Sequence, residues 1–390
     1  MDATIVNSGA LAQGLDSPPL RIALLARSLD YGGAETQMAL LAQGLARRGH
    51  AVEVVLFYPE GEWVGRLRGA GIAVRSLDKA GRWDLIGFGR RLIRTLRAFR
   101  PHILNSFLTP PNVLAALLKP FLPGTCIVWG IRASNMDLGR YDWTRAATAA
   151  IERRLAACAN AIVCNAQAGR DYALGLGFPA GRMSVVPNGI DTERFRPDAE
   201  ARRRLRSEFG LTEDDIAIGT VGRIEPMKGY DTLLEAFARI APAHPRARLV
   251  CVGPDLAPFG DAIRARGAAL GLGRRVIWAG PRRDVEAVYN AFDRFVLASR
   301  YGEGFSNVVA EAMASGHCPV ATDVGDSAVL VRGHGIVVPA EDPAALADAL
   351  ERSLAQPGDG AAARAAILAR YSIETMVEGT LAEYRRALAA

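Results

Sequence analysis

The amino-acid sequence predicts an α/β protein built from two doubly wound parallel-sheet domains, and two observations carry that expectation. Short apolar runs of strand length recur along the 390 residues, each followed by a longer segment with helical spacing. The alternation is interrupted near 188–200 by NGIDTERFRPDAE, rich in turn and charged residues, and then starts again. Strands buried on both faces read as continuous apolar runs, the mark of parallel sheets covered by helices. The same pattern occurring twice argues for two doubly wound units, and the length suits them at about 100–200 residues per domain.

In order, residues 1–19 read as a flexible leader ending at Pro18-Pro19. They lack the basic start and continuous apolar stretch of a signal peptide. The expected strands of the first domain, 20–190, are RIALLA (21–26), AVEVVLF (51–57), HILNSF (102–107), TCIVWG (125–130) and AIVCN (161–165). Those of the second, 191–371, are IAIGTV (216–221), ARLVCVG (247–253), RVIWAG (275–280), DRFVLAS (293–299) and GIVVP (335–339). Arg-rich ARRRLRSEFG opens a helix after the seam. The segment 372–388 begins with the capping signature Ser372-Ile-Glu-Thr and reads as a final helix.

Composition narrows the function classes. Half of the residues are apolar and 23% are charged, enough to bury sizeable cores. No apolar run reaches the roughly 18 residues of a membrane span. The five cysteines (Cys126, Cys158, Cys164, Cys251 and Cys318) are odd in number and lack a Cys-x-x-Cys, so they read as reduced thiols in the cytoplasm. The five histidines are scattered, and no metal cluster is legible. The net charge of +6 conceals an asymmetry, with 22 Lys/Arg against 13 Asp/Glu in residues 1–190 and 25 against 28 in the remainder. A basic first half suits anionic lipid or an acidic substrate; without aromatic interleaving it does not suggest nucleic acid.

Three segments could carry chemistry. In YGEGFSNVVAEAMASGHCPVATD (301–323), Glu303 lies in a glycine-containing loop after a strand and Glu311 on the helix that the loop opens. Gly302 and Gly304 allow close backbone approach, and the N–H groups around Phe305–Val308 would form an anion site at the helix N-terminus. Glu303 can accept from sugar hydroxyls and Glu311 from a ribose pair; the plain alternative is two solvated carboxylates. In VGRIEPMKG (221–229), Arg223 and Lys228 fall at a strand's C-terminal end, where open α/β sheets bind ligands. A forked and a mobile cation suit a departing diphosphate; the alternative is two surface cations beside a turn. In DYGGAETQMALLAQGLARRGH (30–50), Gly32-Gly33 can bring backbone N–H groups to a cleft. The spacing is not Gly-x-Gly-x-x-Gly, which counts against a nicotinamide dehydrogenase.

Taken in register, YGGAE (31–35), VVPNGID (185–191), VGRIEPMKG (221–229) and GEGFSNVVAEAMASGHCPVATD (302–323) resemble the retaining glycosyltransferases of family 4, over about residues 21–340. The resemblance implies a GT-B fold, with two Rossmann-like domains facing across a cleft and the last helix returning to the first domain. It implies a nucleotide-diphosphate sugar as co-substrate, no cofactor and no catalytic metal; no Asp-x-Asp is present. By position, Arg223 and Lys228 would bind the diphosphate, Glu303 the transferred sugar and Glu311 the ribose. Gly32 and Gly33 would line the cleft, and the main-chain N–H groups of Gly304, Phe305, Ser306, Asn307 and Val308 would help hold sugar and phosphate. Arg223, Lys228 and Glu303 are the expected catalytic set.

The chain departs from the family on the acceptor side. Where many members carry a histidine in the segment written here as TCIVWGIRAS (125–134), Arg132 is the nearest polar residue, and Asn105 stands where another histidine is common. Arg132 could grip an acidic acceptor or pair with Asp137 or Asp142. The stretch RWDLIGFGRRLIRTLRAFR (82–100) has six arginines and an apolar stripe of Leu85, Phe88, Leu92, Leu96 and Phe99. It reads either as an outer helix of the first domain or as a face for an anionic membrane, with the protein peripheral at the inner membrane face. The reaction implied is transfer of a sugar to an acceptor hydroxyl of a sugar, glycolipid or glycan with retention, and no nucleophilic carboxylate is evident in the first half. A sugar-nucleotide epimerase of the same architecture and a non-catalytic sugar-nucleotide-binding subunit are the alternatives.

Overall fold

The computed structural model describes residues 18–30, 32–81, 83–132 and 143–390. Most of the expected leader, Tyr31, Arg82 and the proposed Arg132 partners Asp137 and Asp142 lie outside the described residues.

Seven strands form the first sheet: β1 (Arg21–Ala26), β2 (Ala51–Leu56), β3 (Ala73–Ser76), β4 (Ile103–Phe107), β5 (Cys126–Ile131), β6 (Ala161–Cys164) and β7 (Met183–Val185). Their order is β3-β2-β1-β4-β5-β6-β7. Six form the second: β8 (Ile216–Val221), β9 (Ala247–Val252), β10 (Val276–Gly280), β11 (Arg294–Leu297), β12 (Val320–Thr322) and β13 (Ile336–Val338), in the order β10-β9-β8-β11-β12-β13. The named strands pair in parallel throughout. Strand order therefore reverses between β1 and β4 and again between β8 and β11. Open sheets bind ligands at such points, outside the strands' C-terminal ends.

Each sheet is covered on both faces. On one side of the first, Ile22, Leu24 and Val54 pack against helix Gly33–Arg47 and the last helix, Ile373–Ala389. On the other side, Leu25 and Trp129 pack against helices Ile86–Phe99 and Thr109–Leu118. In the last helix Ile373, Met376, Val377, Leu381, Tyr384 and Ala387 are buried, at helical spacing. Ser372 caps it by accepting from Thr375 N at 3.1 Å. Gly44 lets the two helices approach, since a methyl there would lie 2.4 Å from Val377. The chain crosses between sheets twice, and the crossings run side by side, Ile190 N donating to Tyr371 O at 2.7 Å.

Three strands escaped the sequence reading. β3 and β7 are short edge strands without a continuous apolar run, and β12 is three residues inside a segment read for its motif. The stripe on helix Ile86–Phe99 also needs correction. Phe88, Leu92 and Leu96 are buried, whereas Leu85 precedes the helix and is 63% exposed. The cysteines are free thiols, with Cys164 and Cys251 buried. No helix among the described residues is long and apolar enough to cross a membrane.

Candidate active site

Lys228 is placed by a short turn beyond β8. Pro226–Lys228 forms one turn of 3-10 helix, closed by Lys228 N donating to Glu225 O at 3.0 Å. Gly229 ends it in the left-handed region (φ +62), where a methyl would lie 2.0 Å from Ala298 O. That contact presses the turn against the end of β11, from which the loop carrying Glu303 departs. Lys228 Nζ consequently lies 2.6 Å from Glu303 Oε1, and Ser299 Oγ donates to the same oxygen at 2.7 Å. Burial alone would raise the Glu303 pKa. The Lys228 ammonium, the Ser299 hydroxyl and the Arg223 charge outweigh it and hold the carboxyl below its ordinary range. Arg223 is half-exposed on the same strand end and pairs with Glu225 at 2.9 Å.

The loop continues through Gly304 into helix Asn307–Ala314. Gly325 (φ +61) lies beneath it, a methyl there falling 2.4 Å from Gly304 O. Ser306 precedes the helix, and its side chain makes no capping hydrogen bond among the described residues. Glu311, on this helix, accepts from Tyr289 Oη at 2.7 Å. Its pKa is raised by burial, against the opposing Tyr289 hydrogen bond and the Arg194 charge. Arg194 itself pairs with Glu286 at 2.6 Å.

The first domain closes on the same loop. Gly33 opens helix Gly33–Arg47, and a methyl there would lie 3.0 Å from Asn307 Nδ2. Asn188 Nδ2 donates to Asn307 Oδ1 at 2.8 Å, and Arg132 Nη1 donates to Asn188 Oδ1 at 3.2 Å. A methyl at Gly304 would lie 2.8 Å from Asn165 Oδ1 and 3.4 Å from Arg132 O. Asp326 of the second domain accepts from Gln167 N and Ala168 N at 2.7 and 2.9 Å, capping a helix of the first. Burial raises the Glu35 pKa, and Arg223 across the interface acts in the opposite direction.

The structure thus brings Lys228, Glu303, Gly304, Asn307, Gly33 and Arg132 together at the junction of the domains. Asn105 takes a different place. It is buried mid-strand in β4 and donates to Tyr384 Oη of the last helix at 2.6 Å. Ser299, Asn165, Asn188, Tyr289 and Asp326 were not singled out in the sequence. Asn188 falls within the VVPNGID signature, while the others become visible only when separate strand ends meet. Asn165 Oδ1, Arg132 Nε and Ser306 Oγ are buried without a hydrogen-bond partner among the described residues. Such atoms are costly unless a ligand or water meets them.

Two doubly wound domains joined over a cation–carboxylate site at the strand ends define a protein of the GT-B class. Residues 31–194 match the family described as Glycosyltransferase Family 4, and residues 215–356 match Glycosyl transferases group 1. The chain belongs to the family 4 glycosyltransferases. It is 33% identical over 215 residues to the lipopolysaccharide core biosynthesis mannosyltransferase LpsB of Rhizobium meliloti (strain 1021), covering 53% of this chain and 59% of that protein. It is 36% identical over 222 residues to the D-inositol 3-phosphate glycosyltransferase of Segniliparus rotundus, covering 53% and 47%. The chain spans about half the length of the curated relatives it matches. In fold it is similar to Anabaena Alr3699/HepE in complex with UDP and glucose, with a TM-score of 0.83 at 21% identity over 94% of this chain and 100% of that one.

Proposed function

We propose that the chain transfers a sugar from a nucleoside-diphosphate donor to an acceptor hydroxyl, with anomeric configuration retained and without a metal. The observation that carries this reading is the Lys228–Glu303 pair, held at 2.6 Å at the loop that leads into the N-terminus of helix Asn307–Ala314. Lys228 and Arg223 are the cations on which a departing diphosphate would develop its charge, fixed in advance and partly withdrawn from water. Glu303, ionised through its neighbours, is the acceptor for hydroxyls of the transferred sugar. Glu311 is the acceptor for the ribose, and the N–H groups of Gly304 to Val308 hold sugar and phosphate. Residues of the first domain, Gly33 and Arg132 among them, complete the wall facing the acceptor and exclude water, which otherwise competes with it. The names of the relatives support a sugar, glycolipid or glycan acceptor, and the UDP held by the structural neighbour makes UDP-sugars the first donors to try.

The test is thermal stabilisation by UDP, ADP and GDP sugars, followed by product analysis with chelator present. A ligand at 100 times its dissociation constant adds about 2.7 kcal/mol of stability. Nucleoside diphosphate released only with an acceptor supports transfer. An isomerised donor without release would point to an epimerase, and binding without turnover to a sensor subunit.

The 82–100 segment supports peripheral association with an anionic membrane face. Trp83, Leu85 and Ile86 are 86%, 63% and 73% exposed, and Arg90, Arg94 and Arg97 are exposed on the helix that follows. Arg91 belongs to the fold instead, paired with Asp84 and donating to Leu77 O at 2.8 Å.

A further inference from the structure

We propose that Arg132 binds an acidic group, phosphate or carboxylate, on the acceptor. The inference rests on the transferase reading and names the class of acceptor it would use. Arg132 follows β5 directly, and its side chain folds back over Gly130, where a methyl would lie 3.3 Å from Nε. The guanidinium stacks 3.9 Å from the Phe107 ring centroid and, among the described residues, makes one hydrogen bond, to Asn188 Oδ1 at 3.2 Å. Both partners are neutral. Among the described residues no carboxylate pairs with it, and Nε is buried with no acceptor. A guanidinium has five donors, so most of its hydrogen-bonding capacity is unspent.

Withdrawing such a cation from water is unfavourable unless an anion or several acceptors replace its hydration. Burial lowers its pKa to about 10, which leaves it charged at neutral pH. Its carbonyl lies against Gly304, and Asn188 links its head to Asn307, so the charge sits beside the proposed sugar site. A planar fork matches phosphate and carboxylate oxygens in pairs. The donor diphosphate is the other source of such an anion. It already meets Arg223 and Lys228 in the second domain, whereas Arg132 projects from the first.

The experiment uses the full chain saturated with whichever of UDP, ADP and GDP stabilises it, with inorganic phosphate as probe and chloride at matched ionic strength as control. Phosphate should stabilise the wild type further, R132Q should lose at least tenfold in phosphate affinity, and R132K should recover part of it. Nucleoside-diphosphate affinity should change less than twofold in R132Q. Without ligand, R132Q should melt no lower than the wild type, because it removes a buried charge that no described carboxylate pairs with. A tenfold loss of nucleoside-diphosphate affinity in R132Q would assign the anion to the donor and overturn the proposal. A lower melting temperature of ligand-free R132Q would reveal a structural ion pair and overturn it too, as would the absence of any phosphate effect on the wild type. If no nucleoside diphosphate binds, the transferase reading fails first and this inference with it.

Discussion

Lys228 Nζ lies 2.6 Å from Glu303 Oε1, although the two residues are 75 apart in sequence and rise from different strands. Each answers the other's burial. The ammonium keeps the carboxyl ionised, and the carboxylate fixes the ammonium where a leaving group would need it. Lys228→Ala should lower turnover by about 10²–10³, the scale for removing one preorganised charge-stabilising donor. The depressed pKa of Glu303 contributes stability above its unfolded value of about 4.3, and this is lost as pH falls toward the folded value. In Lys228→Ala burial is no longer opposed by the ammonium, so the acid limb of donor binding should move to higher pH. A pH profile of nucleotide-sugar binding in which the limb stays in place would refute the coupling.

The two glutamates should separate. Glu303→Gln should impair recognition of the sugar while nucleoside diphosphate binds almost normally; Glu311→Gln should weaken the bare nucleotide. Glu311 has a raised pKa, so its ionised form costs stability at neutral pH and the cost disappears as pH falls. Glu311→Gln should therefore melt no lower than the wild type at neutral pH, and its nucleotide affinity should lack the weakening that the wild type shows on acidification, as Glu311 takes up a proton. Calorimetric titration of both variants with nucleoside diphosphate and with the sugar donor checks this. Unchanged binding in both would remove the loop and helix from the site.

What was legible in the sequence follows from range. Central strands such as β1 and β8 announce themselves because both faces are buried, and Ser372 declares a helix start by local chemistry alone. The edge strand β3 buries little and left no run to read. Lys228 and Glu303 were legible as chemical types in suggestive loops, but their pairing depends on Gly229 packing on Ala298 O, a contact made in three dimensions. Asn105 looked like an acceptor-side residue because it stands where the family commonly carries a histidine. Its amide instead meets Tyr384, 279 residues away, which local pattern cannot anticipate.

Gly229→Ala tests that packing. Its φ of +62 costs an L-residue about 1–2 kcal/mol, and the added methyl would also fall 2.0 Å from Ala298 O. The turn must shift and carry Lys228 away from Glu303. Donor affinity and turnover should fall together, with far-UV circular dichroism unchanged. Wild-type kinetics in this variant would show that the turn does not set the lysine.

Tyr384→Phe asks whether Asn105 serves the fold. It leaves the buried Asn105 amide without its acceptor, at a cost of about 1–3 kcal/mol. Denaturant unfolding should register that loss, while the Michaelis constants for both substrates hold. A raised acceptor constant at undiminished stability would return Asn105 to the acceptor side.

The last prediction concerns the exposed face at 82–100. Trp83, Leu85 and Ile86 leave a large apolar area in water at the entry to a helix that buries Phe88, Leu92 and Leu96 in the first domain. The inner face of the helix is thus used by the fold, and the exposed apolar residues at its entry are surplus to that role. Arg90, Arg94 and Arg97 add charge beside them, and each basic residue near an anionic surface is worth roughly 1 kcal/mol. The full chain should therefore sediment with phosphatidylglycerol vesicles and not with phosphatidylcholine alone. Binding should weaken as salt shortens the screening length to about 8 Å at 0.15 M. Replacing the three arginines with Gln should remove the dependence on lipid charge. Replacing Trp83, Leu85 and Ile86 with Ser should remove the residual binding at high salt, and neither set should alter the melting temperature by more than a degree or two. If the wild type fails to sediment with anionic vesicles even at low salt, the segment is an outer helix of the first domain with an apolar lead-in and nothing more.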